Sequence, residues 1–347
     1  MLKNAIKKIA EKKDLSALEA AEAMKQTMSG ACEPSQVGAF LLGLRMKGET
    51  PDEIEGSAYS LLENAVAFDV PSEDNGMLLI DTCGTGGDEA NTFNISTAAA
   101  IIASAAGVKV AKHGNRAVSS LSGSADILQE LGVHISAEMD DAKECLKETG
   151  MTFLFAQKYH PAMKNAAKVR GELGTRTIFN LLGPLINPAP IKGQVLGVYD
   201  GRLTHTIAEV LLRMGRERAL VVHGTDGLDE ITTTGATLVT EVRDGQLFDY
   251  TIHPSDFGVA VSNKADIKGG SAAENAVILE EVLKGKKGPQ RDIVLLNTAA
   301  ALYVGKAVNS LQEGVLLAAE LIDTGRAYEQ LKKIVNFGKR SAVNDIR

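Results

Sequence analysis

Three stretches of this 347-residue chain carry groups suited to holding phosphate and a divalent cation. The first is Gly84-Thr85-Gly86-Gly87-Asp88, directly behind a short apolar run at residues 77–81, with Asn94-Ile95-Ser96-Thr97 opening a helix shortly after. Glycines let a backbone approach a ligand closely, and a helix N-terminus presents free N–H groups and a partial positive charge. Together they make an anion site suited to phosphate. The segment is no Walker loop, because Gly-Lys-Ser/Thr is missing, and no dinucleotide fingerprint, because Glu89 stands where the third glycine belongs.

The second stretch is Lys112-His113-Gly114-Asn115-Arg116-Ala117-Val118-Ser119-Ser120, read as the loop after the next strand. It offers two fixed cations, two hydroxyls, an amide and an imidazole, and no acid. In a parallel sheet both loops leave the same carboxyl edge, where open α/β sheets bind ligands. Beside a glycine cradle, this loop points to a ligand with several phosphates. The third stretch is Asp229-Glu230, in a loop after a strand. Adjacent carboxylates suit Mg²⁺, which takes oxygen ligands and bridges to substrate phosphates. Kinases, synthetases and phosphoribosyl transfer all remain open on these features.

The elements that must position these loops are readable in outline. Residues 1–70 read as helices only: Ser16-Ala17-Leu18-Glu19 and Thr50-Pro51-Asp52-Glu53 are capping boxes, and residues 37–46 form an apolar helix between them. After Pro71 the pattern changes. Strands are expected at residues 77–81, 108–111, 152–155, 194–198 and 219–223, with helices between them, including one at 97–106. That alternation predicts an α/β unit with a mostly parallel sheet. Residues 237–242 and 246–252 read as a hairpin around Arg243-Asp244-Gly245. Residues 162–182 break the rhythm, as an elaborate crossover or as an excursion back to the helical unit.

Composition narrows the class. Hydrophobic residues make up 44 % and charged residues 23 %, so the chain can bury a core and is not disordered. A net charge of −7 argues against a nucleic-acid partner, and 4 % aromatics argue against base stacking. Yet residues 84–124 hold three cations and two acids, so the proposed cradle is locally positive. Cys32, Cys83 and Cys145 are far apart, and no CxxC occurs, so they read as free thiols in a reducing compartment. No apolar signal core follows the first lysines, and the longest uncharged stretch, residues 91–108, is broken by polar residues. A cytoplasmic protein with no membrane partner is expected.

GTGGD, NIST, KHGNRAVSS, Gly123-Ser124-Ala125-Asp126, Val169-Arg170-Gly171-Glu172 and Asp229-Glu230 together resemble the anthranilate phosphoribosyltransferase family, in its order and at its spacing. The resemblance spans nearly the whole chain, including the helical start and NLLGPLINP. It implies a fold of the nucleoside phosphorylase/phosphoribosyltransferase type. It also implies Mg²⁺-dependent transfer of the phosphoribosyl group of phosphoribosyl pyrophosphate to the amine of anthranilate, in tryptophan biosynthesis, with no covalent nucleophile. Two alternatives are a pyrimidine nucleoside phosphorylase-like enzyme, which departs at His113-Gly114-Asn115-Arg116 and Asp229-Glu230, and a non-catalytic nucleic-acid-binding relative of the same fold.

By that resemblance Gly84, Gly87, Asp88, Thr92, Asn94, Ile95, Ser96 and Thr97 hold phosphoribosyl pyrophosphate. Lys112, His113, Gly114, Asn115, Arg116, Ala117, Val118, Ser119 and Ser120 close over its pyrophosphate, and Ser124 adds a hydroxyl. Ser96 and Glu230 hold one Mg²⁺ and Asp229 with Glu230 a second. Arg170, rather than nearby Arg176, meets the anthranilate carboxylate, because a guanidinium matches a carboxylate through two hydrogen bonds. Asn115 orients the same substrate, Gly84 approaches it through the backbone, and His160 lines its access channel. His113 shapes the pocket, accepts a proton, or simply packs. The resemblance further implies a homodimer, a small domain of residues 1–70 with 164–190, and a large domain of residues 71–163 with 191–347.

Overall fold

The structure, a computed structural model, describes residues 1–70, 76–117 and 121–344, apart from the side chains of 341–344. The change of pattern expected after Pro71 therefore falls at the edge of the described residues. The chain opens with α1 (Leu2–Ala10), α2 (Ala17–Met28), α3 (Pro34–Lys47) and α4 (Pro51–Glu63). Both expected capping boxes form: Ser16 and Glu19 cap α2, and Thr50 and Glu53 cap α4, with Pro51 at its first position. Glu53 is fully buried, accepting from Leu15 N at 2.9 Å and pairing with Lys47 Nζ at 3.0 Å. One capping carboxylate thus ties three parts of the bundle together.

The α/β part runs β1 (Ile80–Asp81), α5 (Ile95–Ala105), β2 (Val110–Gly114), α6 (Ser124–Glu130), α7 (Met139–Thr149), β3 (Met151–Phe155) and α8 (Ala156–Tyr159). After α9 (Lys164–Leu173) and α10 (Phe179–Leu185) come β4 (Gly193–Gly197), α11 (Leu203–Arg213), β5 (Arg218–Gly224), β6 (Thr237–Arg243) and β7 (Gln246–Ile252). Then α12 (Ala272–Leu283), α13 (Pro289–Val304), α14 (Leu311–Asp323) and α15 (Arg326–Asn344) complete the described chain. The seven strands are ordered β3-β2-β1-β4-β5-β6-β7, parallel up to β5 and antiparallel through the β6–β7 hairpin. From Ile293 onward helix α13 is buried on every face, apolar but for Asn297, Thr298 and the Tyr303 hydroxyl, and packs against alanine-rich α5.

Two strand boundaries differ from the sequence expectation. The run at residues 77–81 joins the sheet only at Ile80–Asp81, since Leu78 N donates instead to Gly305 O at the end of α13. Strand β2 extends past the expected 108–111, pairing with β3 as far as Gly114. Lys112, His113 and Gly114 are therefore strand residues rather than loop residues. Their polarity suggested a loop, but internal partners hold Lys112 Nζ and His113 Nδ1, so tertiary context overrides the local signal.

The excursion resolves towards the bundle. Helix α9 packs on α2 and α3, and α10 packs on α4. Ala166, Val169, Ile178, Phe179, Leu182 and Leu185 share one apolar core with the bundle helices. That core continues under the sheet through Leu196, Val198 and the inner face of α11.

Candidate active site

The chain winds outward from β1 through β2 to β3, then returns to β4 on the other side of β1. That reversal places a crevice between the carboxyl ends of β1 and β4, the usual ligand position in an open α/β sheet. The glycine loop leaves β1 there and is fastened to the end of β4: Thr85 N donates to Gly197 O at 2.8 Å, and Tyr199 N donates to Thr85 Oγ1 at 3.2 Å.

The acid pair arrives at the same point from the loop after β5. Gly86 N donates to Asp229 Oδ2 at 2.7 Å, joining motifs 143 residues apart. A Cβ at Gly84 would stand 2.7 Å from that carboxylate oxygen, so any side chain there would push Asp229 aside. Asp226 shapes the acid-bearing loop, accepting from Thr232 Oγ1 at 2.8 Å and from Leu228 N at 3.3 Å, and it also binds Thr234 Oγ1. Burial, then the neighbouring charge of Asp88, pushes the Asp229 carboxyl up from its ordinary range. Glu230 is pushed up by burial and then by Asp229, opposed by Lys112 and by a hydrogen bond from Ser96 N. Three carboxyls crowded beside one ammonium group are short of positive charge, and their hard oxygens fit a divalent ion such as Mg²⁺. Ser96, at the start of α5, lies beside Glu230 through that backbone bond.

Lys112 does not reach out over a ligand as a loop cation would. It is 2 % exposed, and its Nζ donates to Thr82 O at 3.0 Å, Thr82 Oγ1 at 3.1 Å and Ser96 Oγ at 3.4 Å. It serves as the internal counter-charge between Asp81 and Glu230. Arg116 is exposed but engaged, with Nη1 on Asp126 Oδ1 at 2.9 Å and Nη2 on Gln129 Oε1 at 2.8 Å. Burial works against the Asp126 charge, but N–H groups of Ala117 and Gly123 together with Arg116 hold its carboxyl below the usual range. Val118, Ser119 and Ser120 lie outside the described residues.

At the head of α5, Asn94 Nδ2 donates to Ser122 O at 3.2 Å, and Asn94 Oδ1 accepts from Asn275 at 3.2 Å. Ile95 is buried and can offer a ligand only its backbone, and Thr97 Oγ1 is buried without a partner among the described residues. Thr92 forms a bridge to Lys268, and Asp88 Oδ1 accepts from Ala90 N at 3.2 Å. Ser124 Oγ lies 3.5 Å from Asn115 O and fills the space where a Gly114 side chain would begin. Asn115 Oδ1 accepts from Arg116 N at 2.8 Å and from Gln157 Nε2 at 3.2 Å.

On the bundle side, Arg170 projects from α9 and stacks over Phe179, 4.9 Å from the ring centre. Burial lowers its pKa, and among the described residues no carboxylate pairs with it. His113 and His160 meet edge to face at 5.2 Å. His113 Nδ1 donates to Gly183 O at 3.1 Å, His160 donates to the Ile186 backbone, and the Nε2 of each is buried without a partner among the described residues. Sequence reasoning missed Asp126, Asp226, Asn187 and Tyr199 as organisers of these loops. Asp126 and Asn187 sit inside motifs already singled out, whereas nothing local marks Asp226 or Tyr199.

The helical bundle and the mostly parallel sheet correspond to the two domains of a glycosyl transferase family. The helical bundle domain of the glycosyl transferase family matches residues 3–65, and the a/b domain of that family matches residues 76–328. The chain is 60 % identical to the anthranilate phosphoribosyltransferase of Caldanaerobacter subterraneus subsp. tengcongensis, over 98 % of this chain and 99 % of that protein. The crystal structure of the Thermus thermophilus enzyme of that name superposes with a TM-score of 0.90 at 42 % identity, covering 96 % of this chain and 99 % of that one. The Saccharomyces cerevisiae enzyme in complex with PRPP and Mg does so with a TM-score of 0.88 at 30 % identity, covering 98 % of each chain; the yeast enzyme is also known in complex with 4-fluoroanthranilate. The chain belongs to the anthranilate phosphoribosyltransferases, enzymes of tryptophan biosynthesis. Among its described residues, no helix is long and apolar enough to cross a membrane.

Proposed function

We propose that the crevice between β1 and β4 binds phosphoribosyl pyrophosphate with two Mg²⁺ ions, and that Arg170 presents anthranilate to it from the bundle side. The observation that carries this reading is the hydrogen bond from the glycine loop to Asp229, which brings the anion loop and the cation-binding acids into one site. Loop N–H groups and the head of α5 suit the phosphates, with Gly84, Gly87, Asp88, Thr92, Asn94, Ile95, Ser96 and Thr97 as the cradle. Ser96 with Glu230 would hold one Mg²⁺, and Asp229 with Glu230 the other. Among the described residues no three acidic, histidine or cysteine side chains converge on one metal point. Mg²⁺ characteristically takes its remaining ligands from water and substrate phosphates.

Breaking the bond between ribose C1 and pyrophosphate gathers negative charge on the leaving group. Mg²⁺, when bound, supplies the neutralising charge there. The chain's own residues prepare that step. Lys112 holds Ser96 and Thr82 in place and balances Glu230, while Asn115, Arg116, Ala117 and Ser124 would cover the pyrophosphate. Arg116 would exchange Asp126 for phosphate oxygen as that cover closes. Arg170, with no carboxylate of its own, meets that of anthranilate, and Asn115 and the Gly84 backbone orient the ring. The unpaired Nε2 of His160, beside that of His113, is an acceptor for the substrate amine. A cytoplasmic setting suits the three free thiols Cys32, Cys83 and Cys145.

The small domain of residues 1–70 with 164–190 would form one wall and carry a homodimer contact. Leu42 and Met46, one turn apart on α3, are 38 % and 79 % exposed and suit a self-complementary apolar face. Steady-state kinetics of Arg170→Ala test the substrate assignment. Losing a charge-assisted pair worth about 1.5–3 kcal/mol should raise KM for anthranilate roughly 10- to 100-fold, with little change for phosphoribosyl pyrophosphate. An equal loss for both substrates would contradict the assignment.

A further inference from the structure

Arg176 lies between α9 and α10, on the segment that packs with the bundle, yet its side chain reaches the glycine loop. Nη2 donates to Gly87 O and stands 3.3 Å from Glu89 Oε1. The guanidinium carbon lies over Tyr199, 4.5 Å from the ring centre. Gly87 itself has a φ of +76°, a backbone that a side chain would strain, and a Cβ there would come within 3.6 Å of Arg176 Nε. Tyr199 is also where the bundle arrives, since the charges of Arg45 and Glu49 both act on its hydroxyl. The loop's other fastenings, to Gly197 O, Tyr199 N and Asp229, all come from the α/β part. Arg176 is the fastening from the other side.

We infer that Arg176 is a positioning residue of the phosphate cradle, a latch that sets the Gly87–Asp88 peptide from the segment that also carries Arg170. In a trans peptide the carbonyl and the following N–H point in opposite directions. Holding Gly87 O on Arg176 therefore turns the Asp88 N–H away from the bundle segment, into the concave side of the loop. The contact with the Tyr199 ring restrains the guanidinium so that this direction is preset before phosphate arrives. It follows that Arg176 acts on phosphoribosyl pyrophosphate through the loop and does not hold the carboxylate of anthranilate. This inference rests on reading the glycine loop as the phosphoribosyl pyrophosphate cradle.

The test compares wild type, Arg176→Ala, Arg176→Lys and Tyr199→Leu. The measurements are both KM values, kcat, and equilibrium binding of phosphoribosyl pyrophosphate with Mg²⁺ in the absence of anthranilate. Arg176→Ala should raise KM and Kd for phosphoribosyl pyrophosphate about 10- to 100-fold and change KM for anthranilate less than about threefold. Arg176→Lys, which keeps a donor without the flat fork, should recover part of the loss, and Tyr199→Leu should reproduce part of it. Should the alanine variant fail to fold, the lysine and leucine variants carry the same comparison. A loss confined to anthranilate, an equal loss for both substrates, or no loss at all would overturn the latch. Asp229→Asn, run alongside, tests the cradle itself: unchanged phosphoribosyl pyrophosphate binding there would remove the cradle reading. Loss with Asp229→Asn and none with Arg176→Ala would remove the latch alone.

Discussion

Buried histidines give the site a pH signature of its own. Burial, then the neighbouring His160, holds His113 down to about 3, and burial holds His160 down to about 4. From the ordinary 6.5 downward, an unfolded chain takes up protons that these two folded side chains refuse, so stability falls on acidification. Asp81 acts in the opposite sense. Burial raises it to about 6 from 3.8, so its contribution is present at low pH and is lost as pH rises through that window. Asp229 and Glu230, also pushed up by burial, act in the same sense as Asp81, so the histidine share is read as a difference: relative to His113→Asn/His160→Asn, wild type should lose about 3 kcal/mol between about pH 7 and about pH 5. Denaturant midpoints of the two proteins across that range would show the difference; parallel curves would contradict it. At this scale the meeting of the glycine loop with the acid pair Asp229-Glu230 was readable from their types and their places after strands. The partners were not: nothing local tells that Arg116 is taken by Asp126, or that Lys112 faces inward.

At the scale of elements, capping boxes and apolar periodicity placed α2, α3 and α4 well, because those signals are local. Strand β2 was cut short because Lys112 and His113 look like loop residues until Thr82, Ser96 and Gly183 surround them. The NLLGPLINP segment shows how such long-range ties set the site. Asn187 Nδ2 donates to Asp81 Oδ2 and to Ala111 O, both at 2.8 Å, and Asn187 Oδ1 accepts from Ala189 N at 2.9 Å. Asp81 Oδ1 in turn accepts from Thr82 N at 2.7 Å and His113 N at 3.3 Å. One amide thus hooks the returning excursion onto the ends of β1 and β2. Asn187→Ala leaves buried groups short of partners and should cost about 2–3 kcal/mol in urea unfolding. A cost within about 0.5 kcal/mol, the range of an ordinary surface change, would show that the hook is dispensable.

Over the whole molecule, the helical start, the mostly parallel sheet and the position of the loops at its carboxyl edge were all readable. The path of residues 162–182 was open in sequence and is settled by the apolar core they share with the bundle. The homodimer is a matter for solution measurement. Leu42→Glu/Met46→Glu should turn a dimer into a folded monomer by sedimentation velocity, and a variant that stays dimeric would place the contact elsewhere. The net charge of −7 is compatible with the proposed phosphate substrate, because the crevice gathers backbone N–H groups and its acids would meet phosphate through Mg²⁺. The most direct measurement is the loss of anthranilate fluorescence with phosphoribosyl pyrophosphate and Mg²⁺, in wild type and in Asp229→Asn/Glu230→Gln. The account predicts decay that needs both substrates and the ion in wild type, and a rate at least about 100-fold lower in the folded variant. Folded wild type that leaves the fluorescence unchanged, or a variant that keeps the full Mg²⁺-dependent rate, would contradict it.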